Sequence, residues 1–440
     1  MQTIFAVATP PGKSGVAVIR ISGEQAKTAL CALGVPQSLT PRIAALASLQ
    51  HAGEAIDKAL VLYFNAPHSF TGEEVAEIHC HGSRATLHKL TQVLASLPGF
   101  RLAEPGEFTR RAFLNGKMDL TAAEGLADLI DADTEAQRKQ ALRVMEGETA
   151  SFFEALRADI LHSLAFLEAY IDFPDEDIPE SVLAEVTSEI NEVAARISAQ
   201  LADNRAGEKI REGIYIAILG APNVGKSSLL NWLAKREAAI VSDIAGTTRD
   251  VIEVQLDIKG YPVILADTAG IREQAETIER EGIRRSFERA RTADIKLVML
   301  DATQAAAAQN VSTLIDENAI VLWNKVDAAQ SPGAALADNI KPIAVSVKER
   351  IGLEKLIEAI ETKIAASVPP EASFITRSRH RAHLVAALEH LGKYEAARMR
   401  ALELACEELR RAATEIGKIT GRISVDEVLG HIFSSFCIGK

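Results

Sequence analysis

The rhythm of apolar and polar positions changes three times along the chain, and each change marks a different architecture. Over residues 1 to about 118, short apolar runs such as Gly15 to Ile21, Ala59 to Phe64 and Val75 to His79 alternate with the turn signals Pro10-Pro11-Gly12, Ser22-Gly23 and Pro105-Gly106. Runs of that kind, closed by Pro and Gly, predict strands, and the segment reads as a mixed α+β domain. From about 119 to 212 the spacing becomes helical and glycine grows scarce. Phe153, Leu156, Ile160, Leu164 and Leu167 recur at three- and four-residue steps, which places them in one stripe. The same texture returns over 371 to 440, where Leu384, Leu388 and Leu391 repeat the step and Ser424 with Glu427 makes a capping box before Val428 and Leu429.

Between the helical stretches, from 213 to 370, strands and helices alternate. The apolar strands Ile214 to Leu219, Val263 to Ala266, Lys296 to Leu300 and Ile320 to Trp323 each lead into a motif or a loop. This predicts a doubly wound α/β domain of the P-loop type inserted into a helical domain. Two separate helical units are the alternative. Because a helical hairpin must bury its stripe against a partner, one discontinuous all-α domain is the favoured arrangement. The length of 440 residues agrees, since ~150 residues per domain gives about three domains.

Composition removes several function classes. No apolar run approaches the ~20 residues of a membrane span and no basic-then-apolar leader follows Met1, so a soluble, cytoplasmic protein is expected. Cys31, Cys80, Cys406 and Cys437 are scattered without a CxxC pair, which offers neither a disulfide framework nor a zinc site. His79-Cys80-His81 has ligand-like residue types, but neighbours on a strand point to opposite faces, so no metal is expected there. The net charge of −12 argues against a surface that is wholly a nucleic-acid footprint. Two basic clusters, one of Arg377, Arg379, His380 and Arg381 and one of Arg280, Arg284, Arg285, Arg289 and Arg291, read as solvated helix faces, with a local basic patch as the alternative.

The candidate chemistry lies in the middle segment. Gly220-Ala221-Pro222-Asn223-Val224-Gly225-Lys226-Ser227 follows an apolar strand and precedes a helix expected from Ser228 to Ala234. Its glycines let backbone N–H groups curl around phosphate oxygens, Lys226 can reach the terminal phosphates, and the Ser227 hydroxyl can hold Mg²⁺. Asp267-Thr268-Ala269-Gly270 ends another strand, where a carboxylate can bind a metal-bound water and a glycine amide can meet the γ-phosphate. Asn324-Lys325-Val326-Asp327 ends a third. A carboxylate such as that of Asp327 accepts two hydrogen bonds from N1–H and the exocyclic amine of guanine, which adenine does not offer, so GTP is the expected nucleotide. Ser346-Val347-Lys348 takes the place of a second base-contacting loop. In the polar loop Ser242-Asp243-Ile244-Ala245-Gly246-Thr247-Thr248-Arg249-Asp250, Thr248 can complete the Mg²⁺ shell by its position. Ile271 follows the second switch and cannot orient an attacking water. Glu273, Glu276 and Glu279 are the carboxylate candidates for that task, with Arg249 or Arg272 as sources of positive charge, and spacing does not choose among them.

The phosphate loop with Pro222 and Asn223, the switch Gly246 to Asp250 and the terminal Phe436-Cys437-Ile438-Gly439-Lys440 resemble the tRNA wobble-uridine modification GTPases known as MnmE or TrmE. The resemblance extends over essentially the whole chain. It takes in Ala8 to Gly12, Arg20-Ile21-Ser22-Gly23, Ser69 to Glu73, Pro105 to Phe108, Arg111 to Asn115 and Ile171 to Pro174. It implies an N-terminal folate-binding, T-protein-like domain that drives a homodimer, and a helical domain carrying the G domain. It implies K⁺ in place of an arginine finger, held by Asn223, Ser242, Ile244 and Thr247, with Glu279 as the water-orienting carboxylate. It implies a 5-formyl-tetrahydrofolate-like carrier at Arg20, Glu77, Lys117 and Lys440. Cations suit the folate carboxylate or formyl oxygen, and Glu77 suits the N–H edge of the pterin. Cys437 is either a reactive thiol in the tail or an inert one.

The function so implied is GTP hydrolysis coupled, with an FAD-containing MnmG/GidA partner, to modification of C5 of the wobble uridine of tRNA. FAD and much of the tRNA surface would belong to that partner, which reconciles the acidic charge. A GTPase switch of ribosome assembly or signalling is the rival class, and it has no use for a folate-like domain or a cysteine-bearing tail. A folate-dependent aminomethyltransferase with a regulatory G domain is a second rival, differing in substrate.

Overall fold

The computed structural model describes residues 2–172, 180–236, 253–267, 293–304, 315–329, 341–368, 373–423, 432, 433, 436 and 439. The chain divides into two units, Met1–Ala127 with Met145–Arg157 and Thr414–Lys440, and Asp128–Val144 with Ala158–Ala413.

The first unit holds a six-stranded sheet of β1 (Thr3–Val7), β2 (Ser14–Ser22), β3 (Ala45–His51), β4 (Glu54–Phe64), β5 (Val75–Gly82) and β6 (Phe100–Leu102) in the order β3-β4-β5-β2-β1-β6. Every pairing is antiparallel except β1 with β6. Side chains alternate across a strand, so Ala59, Val61 and Tyr63 of β4 turn into a core closed by the helices Ala26–Ala32 and Arg84–Ser96, while Leu60 between them is exposed. The opposite face is covered only in part. Ile4 and Ala6 pack there with Phe108, Ala103 and Phe70, whereas Leu46 of β3 remains 74% exposed.

A buried charge network fixes the covered end. Arg111, 5% exposed, donates to Glu73 Oε2 at 2.9 Å, to Glu107 Oε1 at 3.0 Å and to the Gln2 carbonyl at 2.9 Å. Arg101 adds a bidentate pair to Glu107 at 2.6 and 2.7 Å. Burial pushes the Glu107 carboxyl up, but Arg101, the Glu104 N–H and Arg111 outweigh it and hold it at about 2.

The second unit contains β7 (Ile214–Gly220), β8 (Glu253–Ile258), β9 (Tyr261–Asp267), β10 (Ile295–Asp301), β11 (Ala319–Asn324) and β12 (Ile343–Ala344), ordered β12-β11-β10-β7-β9-β8. All pairs are parallel except β8 with β9, which a two-residue turn joins. Lys259 and Gly260 both take positive φ there, as a tight hairpin of that length requires. Both faces of this sheet are buried, one in a cluster with Leu229, Leu233, Leu356 and Ile360 and the other around Val298, Leu300, Val321 and Trp323. That double burial explains the unbroken apolar runs seen in the sequence. The order reverses at β7, whose neighbours are β9 on one side and β10 on the other, and ligands of such sheets bind at that crevice.

Helices Leu120–Ile130, Glu135–Met145, Glu148–Asp172, Glu180–Leu201 and Ala206–Glu212 precede this sheet, and Ser378–Arg398 with Leu402–Thr420 follows it. The stripe Phe153, Leu156, Ile160, Leu164, Leu167 is buried throughout. In the later stripe Leu384 and Leu391 are buried, with Ala387 buried between them and Leu388 only partly so.

Helix Ser378–Arg398 packs on Glu180–Leu201, so the helical stretches on either side of the insertion form one discontinuous domain. The contact explains a misread basic cluster. Arg381 donates to Asp203 at 2.7 Å and to the buried Glu208 at 2.9 Å, Arg377 to Asp128 at 2.6 Å, and His380 is fully buried. These residues are not a solvated face, because the acids that face Arg377 and Arg381 reach them from other parts of the chain. The cluster at 280–291 and the capping box at 424–427 lie outside the described residues. Among the described residues, no helix is long and apolar enough to cross a membrane.

Candidate functional site

The loop from Gly220 to Gly225 leaves β7 and turns into the helix Lys226–Arg236, two residues earlier than the spacing predicted. Its path depends on residues without side-chain bulk at two points. A Cβ on Gly220 would strike the Met299 carbonyl of β10, and one on Gly225 would strike the Asn324 carboxamide. Asn223 stands exposed in the loop with φ 60°, in the left-handed region. Lys226 is 7% exposed, and its Nζ lies 2.9 Å from both the Gly220 and the Ala221 carbonyl oxygens, so the ammonium reaches back from the helix start to the beginning of the loop. Ser227 and Ser228 are exposed on the first turn, where the N–H groups of a helix start favour anions.

One buried side chain joins this loop to the other predicted motifs. Asn324 donates from Nδ2 to the Val224 carbonyl at 2.7 Å and accepts at Oδ1 from the Val347 N–H at 3.2 Å. Phosphate loop, Asn324 and the loop Ser346-Val347-Lys348 are thereby brought together. Ser346 is buried, exchanges backbone hydrogen bonds with Ile351, and caps Glu349 N–H with its hydroxyl. Lys325, at φ 65°, reaches Asp301 Oδ2 at 2.7 Å, and Asp327 is exposed on the same turn. Asp301 went unread in the sequence, although an acid closing an apolar strand is a visible signal. Burial raises its carboxyl, and hydrogen bonds from Lys325 and Thr303 more than reverse this, holding it low and ionised. Asp267 closes β9. Ser242, Asp243, Ile244, Ala245, Gly246, Thr247, Thr248, Thr268, Ala269, Gly270, Glu279, Cys437 and Lys440 lie outside the described residues.

In the first unit, register joins two of the residues the resemblance singled out. Arg20 of β2 lies directly across from Glu77 of β5 and donates from Nε to Glu77 Oε1 at 2.9 Å. Its guanidinium stacks over Phe70 at 5.3 Å and Phe108 at 5.9 Å, contacts the sequence did not suggest. Lys117 is exposed and donates to the Pro67 carbonyl at 3.0 Å, so the segment bearing Pro67 and Phe70 borders both cations. Phe433 and Phe436 pack with Leu120, Ala123 and Phe113, and Gly439 sits against Val7 and Ala8 at the end of β1. Of the triplet at 79–81, Cys80 faces the core, where burial lifts its thiol to about 11, and the two histidines face the other way.

A doubly wound sheet with a glycine-bounded loop and a lysine-led helix at its crevice defines a P-loop nucleotide-binding G domain. The family model for the MnmE helical domain matches residues 120–437, and that for the GTP-binding protein TrmE N-terminus matches residues 3–117. Proteins named tRNA modification GTPase MnmE are similar end to end. That of Rickettsia bellii (strain RML369-C) is 49% identical, that of Parvibaculum lavamentivorans 48% and that of Paramagnetospirillum magneticum 47%, each with 100% of both chains covered. The G domain of the T. maritima FeoB iron transporter matches 35% of this chain and 98% of its own at 23% identity, with a TM-score of 0.26, too low to add to the assignment. The chain belongs to the MnmE/TrmE family of tRNA modification GTPases.

Proposed function

We propose that this tRNA modification GTPase hydrolyses GTP with K⁺ in the place of an arginine finger. On the same reading it acts in the cytoplasm as a homodimer, joined by an FAD-containing partner of the MnmG/GidA type, to build an aminomethyl or carboxymethylaminomethyl group on C5 of the wobble uridine with a tetrahydrofolate one-carbon unit. The observation that carries the first part is Asn223, exposed at left-handed φ on the tip of the phosphate loop, where its carboxamide oxygen suits a hard monovalent cation. Asn223, Ser242, Ile244 and Thr247 would hold K⁺, and Ser227 with Thr248 would hold Mg²⁺. Cations bound there supply positive charge as the β/γ bond of GTP breaks.

The chain's own residues divide the remaining work. Lys226 and the loop N–H groups take the phosphate charge, Asp327 with Ser346, Val347 and Lys348 selects guanine, and Glu279 orients the attacking water. For the carrier, Arg20, Glu77, Lys117 and Lys440 are the proposed contacts. The Glu77 carboxylate group, held by Arg20, fits the N–H edge of a pterin. GTP hydrolysis measured in K⁺ and in Na⁺ at equal ionic strength, with Mg²⁺ throughout, tests the cation. A large K⁺-specific acceleration that Asn223→Ala abolishes is expected, and equal rates in the two salts would remove the mechanism.

A further inference from the structure

Asp301 closes β10, is buried, and stands directly across the ladder from Asn324, the last residue of β11. Its two carboxylate oxygens have separate tasks. Oδ1 accepts from the Thr303 N–H at 3.0 Å and from the Thr303 hydroxyl at 2.6 Å, which fixes the carboxylate at its own strand end. Oδ2 accepts from Lys325 Nζ at 2.7 Å. Lys325 holds φ 65°, and a residue with a side chain stays in that region only where its surroundings fix it. On one side the fixing comes from Asn324, whose carboxamide is tied to Val224 and Val347. For the Lys325 side chain itself, Asp301 is the one polar partner among the described residues. Two positions on, Asp327 is exposed, and its carboxylate meets no hydrogen-bond or ion-pair partner among the described residues, so the backbone of the turn sets its aim.

We infer that Asp301 is a positioning residue for guanine: by holding the Lys325 ammonium it keeps the turn from Asn324 to Asp327 in the conformation that presents the Asp327 carboxylate to N1–H and the 2-amino group of the base. The inference deepens the reading that Asp327 selects guanine and rests on it. A carboxylate receives both hydrogens well only when it lies in the plane of the base with its two oxygens level with them. A small rotation of the turn therefore weakens recognition of guanine more than that of hypoxanthine, which offers N1–H alone. Asp301 acts through Lys325 and touches no part of the nucleotide in this role. Lys226 is held by the Gly220 and Ala221 carbonyls, so the effect falls on binding of the base rather than on turnover.

The test is equilibrium titration of the full-length protein with GDP and with inosine diphosphate, which lacks the 2-amino group, alongside kcat at saturating GTP. Wild type is expected to prefer GDP. Asp301→Asn, of equal size, loses about five- to tenfold in affinity for GDP and distinctly less for inosine diphosphate, with kcat within about twofold of wild type. In a Lys325→Met background, which has already lost the ammonium, Asp301→Asn narrows the preference no further. An equal loss on both nucleotides, or no loss on either, overturns the role of Asp301, as does a further narrowing in the Lys325→Met background. Asp327→Asn should exchange the preference for GDP for one for xanthosine diphosphate, whose C2 carbonyl accepts from a carboxamide. If Asp327→Asn still prefers GDP, the guanine reading itself fails, which is a separate outcome.

Discussion

The two sheets of this molecule place functional side chains by opposite means. In the parallel sheet both faces are sealed, every residue of β10 is buried, and the candidate site gathers where the strands end. In the antiparallel sheet, β3 and β4 alternate between core and exposed positions, and the Arg20–Glu77 pair lies on the strands themselves, across one rung of the ladder. A site at strand ends is made of contiguous loop residues and is robust to sheet register. A site on a sheet face exists only while the register holds, since a one-residue slip turns each side chain to the other face.

This contrast can be broken by experiment. Lys226→Ala should lower GTP hydrolysis by about 100- to 1000-fold, as loss of one charge-stabilising donor does elsewhere, and leave affinity for the proposed folate carrier and the unfolding midpoint of the first unit untouched. A parallel loss of folate binding, read by titration, would mean that the two sites are not independent. Next in size, Arg111→Met should destabilise the first unit by about 3 kcal/mol in denaturant unfolding, because it leaves Glu73 without its guanidinium partner and Glu107 with Arg101 alone. GTP hydrolysis should persist below the new midpoint.

The smallest effect is acid sensitivity. Glu107 is held at about 2, against an ordinary 4.5, so between those values the unfolded chain binds the proton and the folded chain does not. Its contribution, on the order of 2 kcal/mol, is whole above pH about 5 and drains away toward pH 2. Acid unfolding of the first unit should therefore steepen in that window, and Arg111→Met should weaken the effect only in part, because Arg101 keeps its bidentate pair to Glu107.

Legibility in the sequence followed the same divide. The phosphate loop, Asn324 and Ser346 lie in short motifs, and the structure brings them together around one carboxamide. What those motifs omitted was Asp301, whose part depends on Lys325 crossing from the neighbouring strand. Arg20 and Glu77 are 57 positions apart, and nothing local to either marks the pairing; only resemblance to a family pointed to them. His79 was weighed as a metal ligand by residue type, whereas its setting is decided by which face of β5 it occupies. The cluster at 377–381 was misread for the same reason, since Asp128, Asp203 and Glu208 reach it from far upstream.

The packing of helix Ser378–Arg398 on Glu180–Leu201 also sets a timetable for synthesis. A ribosome that has just finished the earlier helix must translate the entire inserted domain before it supplies the later one. At about 5–20 residues per second the wait is on the order of ten to forty seconds. During it the nascent chain displays Asp203 and Glu208, the acids awaiting Arg381. The inserted domain has a hydrophobic core of its own around which it can fold in that interval. A slow or unstable insert would thus betray itself first as aggregation of the helices that flank it.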